Sequence, residues 1–191
     1  MPKVVDHEQR RAALIDAAID AIADVGLERV TLREIAQRAG ATTGTIGHYF
    51  RDKDALLVAT LHHLADLLAQ PDSAAVNFRH ARLGLHLPID DAARRQWKVW
   101  LAYCGAAPSS PTLLVAYHEF YARIEQSVAD HLERNGVDDA TEIAGAIVAA
   151  VDGIGLCASV APDLWPVERQ QRALHRLLDN LVARAPTGAS A

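Results

Sequence analysis

Between residues 42 and 53 the chain carries side chains suited to a nucleic-acid surface. These are the hydroxyls of Thr42, Thr43 and Thr45, the His48 imidazole, the Tyr49 phenol and the Lys53 ammonium, interleaved with Gly44 and Gly47. A threonine hydroxyl donates or accepts at a base edge, and its methyl meets a thymine methyl. Gly44 lets the backbone come close, and Gly47 offers no side-chain contact. Arg33, Tyr49 and Lys53 are the candidates for phosphate, a contact that positions a protein on a duplex without specifying sequence. Tyr49 suits packing against the next helix equally well.

The elements that must position these groups are written nearby. Thr31 and Glu34 form a T-x-x-E pattern that starts a helix near Leu32. Ile35, Ala36 and Ala39 lay an apolar stripe on it. Gly40 ends it where a left-handed residue is needed. Thr42 is placed to cap a second short helix, Thr43 to Tyr49, whose Ile46 and Phe50 point back to the first. Two helices joined by a short glycine turn form the shape that lays its second helix in the DNA major groove. An amphipathic helix precedes the pair (Ala13, Leu14, Ala17, Ala18, Ala21, Ile22, Val25, stopped by Gly26). Another follows from Lys53 (Leu56, Leu57, Thr60, Leu61, Leu64, Leu67, Leu68).

A second constellation surrounds Pro108 and Pro111. Trp97, Trp100, Tyr103, Tyr117, Tyr121 and Glu119 lie on the helices on either side of this break. Aromatic faces with a carboxylate suit a small cation, although each aromatic taken singly also suits a core. Asp152 is isolated in an apolar helix. A buried carboxylate needs a partner, so it caps a neighbouring helix, meets another subunit or faces a ligand.

The remaining organisation is helical. Pro71 and Asp72 break the helix that opens at Lys53, and Ala74 to Leu87 reads as a short helix stopped by Pro88. Asp90 and Asp91 cap a helix to about Ala107. Thr112 to Arg134 is a long helix ended by Asn135-Gly136. Asp138 to about Val160 and Val167 to Arg184 are the last two, and Pro186 to Ala191 is expected to be a disordered tail. Runs of Val, Ile and Thr with strand alternation are missing, so the fold class is all-α. The expected division is a three-helix DNA-binding head over 1–52 and a body over 53–185.

Composition bounds the function. The net charge is −5, yet residues 29–53 hold five basic groups (Arg29, Arg33, Arg38, Arg51, Lys53) against Glu34 and Asp52, whereas residues 61–191 hold 11 basic and 15 acidic. A basic patch on an acidic chain suits a protein that touches phosphate at one end. No uncharged apolar stretch of about 18 residues appears, so no membrane span is expected. Lys3, Asp6, Glu8, Arg10 and Arg11 leave no apolar signal core at the N-terminus. A cytoplasmic location is therefore expected, with Cys104 and Cys157 as two buried thiols. Adjacent His62 and His63 diverge by about 100° on a helix and do not share a metal easily. No zinc spacing, glycine-rich phosphate loop, nucleophile elbow or H-E-x-x-H is present. Neither metal, cofactor nor catalysis is expected. A helical scaffold would leave the Gly40 turn and the Thr43–His48 face unused.

In Arg11, Ala17, Ala18, Gly26, Thr31, Ile35, Ala36, Ala39, Gly40, Gly44, Tyr49, Phe50, Lys53 and Leu56 the chain resembles the TetR family of bacterial one-component regulators. The run T-G-T-I-G-H-Y-F-R-D-K-D-A-L-L resembles the BetI-like subgroup. R-R-Q-W-K-V-W-L-A-Y and A-A-V-D-G-I-G-L extend that likeness through the body. Subgroup members often carry Trp and Arg shortly after the Asp-Gly pair, at the positions of Gly155 and Cys157 here. The resemblance implies that Thr43, Gly44, Thr45, Gly47, His48 and Tyr49 are DNA contact positions. It also implies a homodimer through the last two helices, which carry Ala144, Gly145, Ala149, Gly153 and Gly155, then Ala173, Leu174, Leu177, Leu178 and Leu181, in near-register; an intramolecular core on a different face of the same helices is the alternative use of these residues. A pseudo-palindromic double-stranded operator and release by a small-molecule effector, choline-like in the subgroup, complete the expectation. Repression is the first reading, and activation by the same fold is the alternative.

Overall fold

The computed structural model describes residues 7–69 and 87–183. Among them the elements are α-helices and one 3-10 turn: α1 (His7–Val25), α2 (Leu32–Arg38), α3 (Thr43–Tyr49), α4 (Lys53–Ala69), α5 (Asp91–Ala106), the turn Ala107–Ser109, α6 (Pro111–Arg134), α7 (Ala140–Val160) and α8 (Val167–Ala183). The expected helix from Ala74, the Pro71 break and the tail from Pro186 lie outside the described residues.

The chain divides into two compact units. One takes in the described residues up to 64 together with 98–120; the other takes in those of 65–97 and 121–191. In the first, α1 packs on α2 and α2 on α3. Their shared core is Leu14, Ala18, Ala21 and Ile22 from α1, Ile35 and Ala36 from α2, and Ile46 from α3, all buried. Gly26 and Gly40 end α1 and the α2 turn at φ +82° and +58°, a backbone region where a Cβ is penalised.

Tyr103 anchors the part of α5 in this unit. It is fully buried, and its hydroxyl donates to the Leu57 carbonyl at 2.7 Å. Burial pushes its pKa far up, only partly offset by a bond with Thr60. Tyr103→Phe is expected to lower stability by about 1 kcal/mol, the net value of one buried hydrogen bond. Urea unfolding with an unchanged m-value is the measurement that checks it.

In the second unit α7 and α8 pack along one another. Ala144, Ile147, Val151, Ile154, Ala158, Leu174 and Leu178 form the seam. α7 is long and apolar enough by composition to cross a membrane. It nevertheless carries Glu142 and Asp152 and buries one face within this pair. Arg123 pairs with Asp66 at 2.7 Å, and Ser127 Oγ donates to the Ala69 carbonyl at 3.1 Å, tying α6 to the end of α4. The expected start of α7 at Asp138 moves to Ala140, because Asp139 adopts the left-handed conformation (φ 55°).

Cys157 departs from expectation. It is exposed on α7, whereas Cys104 is half-buried, and both thiols are free. Helical spacing placed Cys157 in an apolar run, but that run is longer than one buried face of α7 can absorb.

Candidate DNA-binding interface and body carboxylate

The helix pair is built by local chemistry. The Thr31 hydroxyl accepts from the Glu34 N–H at 3.2 Å, the forward half of the expected capping box. The Glu34 carboxylate takes Arg38 instead, at 3.0 Å, and Arg38 also pairs with Asp24 at 2.7 Å. After α2, Ala41 N–H donates back to the Ala36 carbonyl at 2.8 Å across Gly40, the six-to-one bond of a Schellman turn. α3 then opens with a reciprocal box that the S/T-x-x-E pattern does not reveal. Thr42 Oγ1 accepts from Thr45 N–H at 3.1 Å, and Thr42 N–H donates to Thr45 Oγ1 at 3.4 Å. Spacing alone could have found it, since Thr45 stands three residues after the cap.

That box decides what α3 can offer. The hydroxyls of Thr42 and Thr45 lie 3.0 Å apart and are engaged with each other. Thr43, Gly44, Gly47 and His48 are exposed, Thr45 and Tyr49 are half-buried, and Ile46 and Phe50 are in the core. Of the three threonines, Thr43 therefore has the hydroxyl outside the cap. A methyl at Gly47 would meet nothing within 4 Å, so that position is open space on the exposed face.

The five basic groups are less free than their number suggests. Arg38 is held by Asp24 and Glu34, which raise its pKa. Arg51 pairs with Asp52 at 2.8 Å. Asp52 also caps α4 by accepting from Ala55 N–H at 2.8 Å, and that backbone bond, then Arg51, holds its carboxyl below the usual range. Lys53 Nζ donates to the Leu27 carbonyl at 3.3 Å, part-buried. Arg33, exposed at the start of α2, has no hydrogen bond or ion pair among the described residues.

The six expected effector residues fall into two groups. Trp100, Tyr103, Tyr117 and Glu119 belong to the first unit, Trp97 and Tyr121 to the second. Tyr103 is core, as above. Glu119 is exposed and meets His62 at 2.8 Å, and Tyr117 Oη receives the Cys104 thiol at 3.8 Å. His63 turns instead toward Asp16 at 3.8 Å, so the adjacent histidines serve different carboxylates.

In the second unit the Tyr121 hydroxyl donates to Asp152 Oδ2. Burial raises the Asp152 pKa to about 6, the Tyr121 bond opposes the shift, and the neighbouring Glu125 charge adds to it. One turn along α7, the Trp97 indole from α5 covers Gly155. A Cβ there would come within 3.0 Å of Cζ2, Cη2 and Cε2 of the ring. Trp97 and Tyr121 therefore meet the same helix about one turn apart, Trp97 at Gly155 and Tyr121 at the partly buried Asp152 carboxyl. Asp152 thus has an intramolecular partner. The isolated-charge pattern in α7 flagged it, but neither spacing nor composition pointed to Tyr121.

Comparison with known proteins matches this layout. The pattern of bacterial regulatory proteins of the tetR family covers residues 14–60. The C-terminal pattern of BetI-type transcriptional repressors covers residues 80–183. The HTH-type transcriptional regulator BetI of Burkholderia thailandensis is 34% identical over 192 residues, spanning 96% of this chain and 98% of that protein. BetI of Klebsiella pneumoniae is 32% identical over 171 residues, spanning 84% and 88%. Among solved structures, a transcriptional regulator from Rhodococcus sp. Rha1 superposes with a TM-score of 0.80 at 28% identity, covering 94% of this chain and 99% of that one. A regulator from Saccharomonospora viridis, crystallised with choline, has the same fold (TM-score 0.74, 24% identity, covering 91% and 97%). With the tetR-family pattern over its capped helix pair and the BetI-type pattern over residues 80–183, this chain belongs to the TetR family of DNA-binding transcriptional regulators and is not an enzyme.

Proposed function

We propose that the protein is a repressor that leaves its operator when a small organic cation binds the body. The observation that carries this reading is the pairing of an exposed α3 face with the Trp97–Tyr121–Asp152 cluster of the body. The head is residues 1–52 and the body 53–185. One α3 covers only a few base pairs, so two heads read a pseudo-palindromic site in successive major grooves, about 34 Å or a multiple apart. Its place of action is the cytoplasm, where its DNA target lies.

The dimer forms through α7 and α8. Supporting this, Leu156, Val160, Leu164 and Leu177 remain exposed on and beside this helix pair, Val160 at 73%, apolar side chains that a partner copy would cover. Light scattering at micromolar concentration is expected to give a dimer, and Leu156→Glu with Leu177→Glu a monomer with reduced operator affinity. A monomeric wild type with binding linear in protein contradicts the proposal.

Thr43, Gly44, Thr45, Gly47 and His48 face bases, and Arg33, Tyr49 and Lys53 face phosphate, with Thr42 holding the start of α3. Arg33→Ala or Lys53→Ala should weaken all duplexes alike and lower the slope of log K against log salt by about one phosphate's worth. Thr43→Ala should instead alter the preferred base at one or two positions. The reverse pattern, measured by anisotropy across single-base operator variants, overturns the assignment.

For the effector, Trp97, Tyr121, Asp152 and Glu125 supply two aromatic faces and two carboxyls in one unit. Glu119, exposed and already facing His62, is the weaker carboxylate, and Trp100 and Tyr117 accompany it in the other unit. Release requires the cation to favour the head arrangement that no longer fits the operator, a difference of about 1–3 kcal/mol. Choline is the first compound to test, since a protein of the same fold binds it. The experiment follows tryptophan fluorescence and operator release together, across choline, other quaternary amines and neutral apolar compounds. Release by neutral compounds alone removes the cationic reading and leaves the DNA-binding one.

A further inference from the structure

His7 opens α1 and stands outside the helix-turn-helix, yet its ring joins the end of α3. Its centroid is 5.8 Å from that of His48 and 5.6 Å from that of Tyr49, and His48 and Tyr49 are 5.3 Å apart, edge to face. One turn along α1, the Arg11 guanidinium lies over the Phe50 ring at 5.3 Å. The first two turns of α1 are thus laid against the end of the exposed helix. His7 and His48 are both exposed and Tyr49 half-buried, so the three rings form a near-equilateral cluster in which both imidazoles are open to solvent. The charged groups next to them along the chain and at the following helix start are Glu8, Arg10 and Arg11 on α1, the Arg51–Asp52 pair after α3, and Lys53 and Asp54 at the start of α4.

We propose that His7 belongs to the DNA-contacting surface, where it and His48 together take a backbone phosphate of the duplex and gain protons as they do so. The proposal rests on the reading that α3 faces DNA. A neutral imidazole already has one N–H to donate to a phosphate oxygen. The phosphate charge then favours the imidazolium over the neutral ring. Two imidazolium rings at this separation repel each other, so net uptake on binding is limited to about half to one proton. The phosphate is a contact without sequence information, and the effect must therefore appear on any duplex.

The test uses the full chain and a 30-base-pair duplex of arbitrary sequence at fixed salt, with affinity measured by anisotropy from pH 8 to pH 6. Wild type should bind about three- to tenfold more tightly per unit fall in pH. His7→Gln and His48→Gln should each remove about half of that slope, and the double variant most of it. His62→Gln with His63→Gln should leave it intact. The His7 Cε1 proton resonance should titrate at higher pH with duplex than without, a change that a purely structural role would not produce. If His7→Gln keeps the wild-type slope while His48→Gln alone abolishes it, the inference fails and the α3 reading stands. If wild type retains no duplex at any pH, both fail.

Discussion

Gly155→Ala should lower stability by about 2–3 kcal/mol, a large effect for one added methyl. The reason is local. The Trp97 indole occupies the space a side chain at 155 would fill, and a Cβ would contact three atoms of its six-membered ring closer than real Cβ atoms approach anything. Trp97 is itself 8% exposed, so a rigid ring must tilt within a packed core. Overpacking of this kind costs about 1–3 kcal/mol. For a chain of this length each kcal/mol moves the melting midpoint by about 2–4 °C, so a loss of about 4–12 °C is expected at fixed protein concentration. In a Trp97→Phe background, where the larger ring is gone, the same substitution should cost much less. A double-mutant cycle reads this as a coupling of at least 1 kcal/mol between positions 97 and 155. A neutral Gly155→Ala in the wild type is incompatible with the packing described.

Asp152→Asn should raise stability at pH 8 and weaken the response to a cationic effector at least tenfold. Burial holds the carboxyl at about 6 in the folded chain against 3.8 unfolded. The folded state therefore binds the proton more tightly. The stability this group contributes is present below the lower value, declines as pH rises between the two, and is lost above about 6. A shift of that size corresponds to about 3 kcal/mol at most, and partial exposure reduces it to about 1–2 kcal/mol. The amide retains an oxygen to accept from Tyr121 but carries no charge. The gain should therefore be largest at pH 8 and vanish near pH 4, as measured by chemical unfolding at both. A cation favours the charged carboxylate, so effector binding near pH 6 should release protons, and Asp152→Asn should weaken the choline response at least tenfold. Glu119→Gln should leave the response unchanged. If Glu119→Gln removes it and Asp152→Asn does not, the effector site lies in the other unit.

The helix-turn-helix was legible residue by residue because its determinants are close in sequence. Thr31 and Thr42 are caps read from the next three residues. Gly40 is required by a single backbone angle, and Ile35, Ala36 and Ile46 follow from helical period. Thr45 carries a second role that the sequence reading did not assign, for a local reason: the same hydroxyl that suits a base edge also completes the cap of its own helix, one turn away. Lys53, Arg38 and Arg51 counted toward a basic patch, but charge along a sequence does not reveal pairing. Asp24 and the Leu27 carbonyl come to Arg38 and Lys53 from other elements.

In the body, the helices and their breaks could be read from Pro108, Pro111, Gly136 and Pro166, and the small-residue stripe of α7 from its period. The fate of each member could not. Gly155 accommodates the ring of Trp97, 58 residues earlier, while Gly153 on the same stripe is exposed. Asp152 meets Tyr121 across 31 residues, and Tyr103 reaches the Leu57 carbonyl across 46. The sequence by itself determined the all-α class, the capped helix pair and the two apolar final helices, because period, caps and turns act over one or two turns of chain. Only the tertiary structure decided which aromatics are core, which carboxyl is buried and which ring joins the end of α3. Those outcomes depend on which helix faces meet, and that is settled by packing over the whole chain.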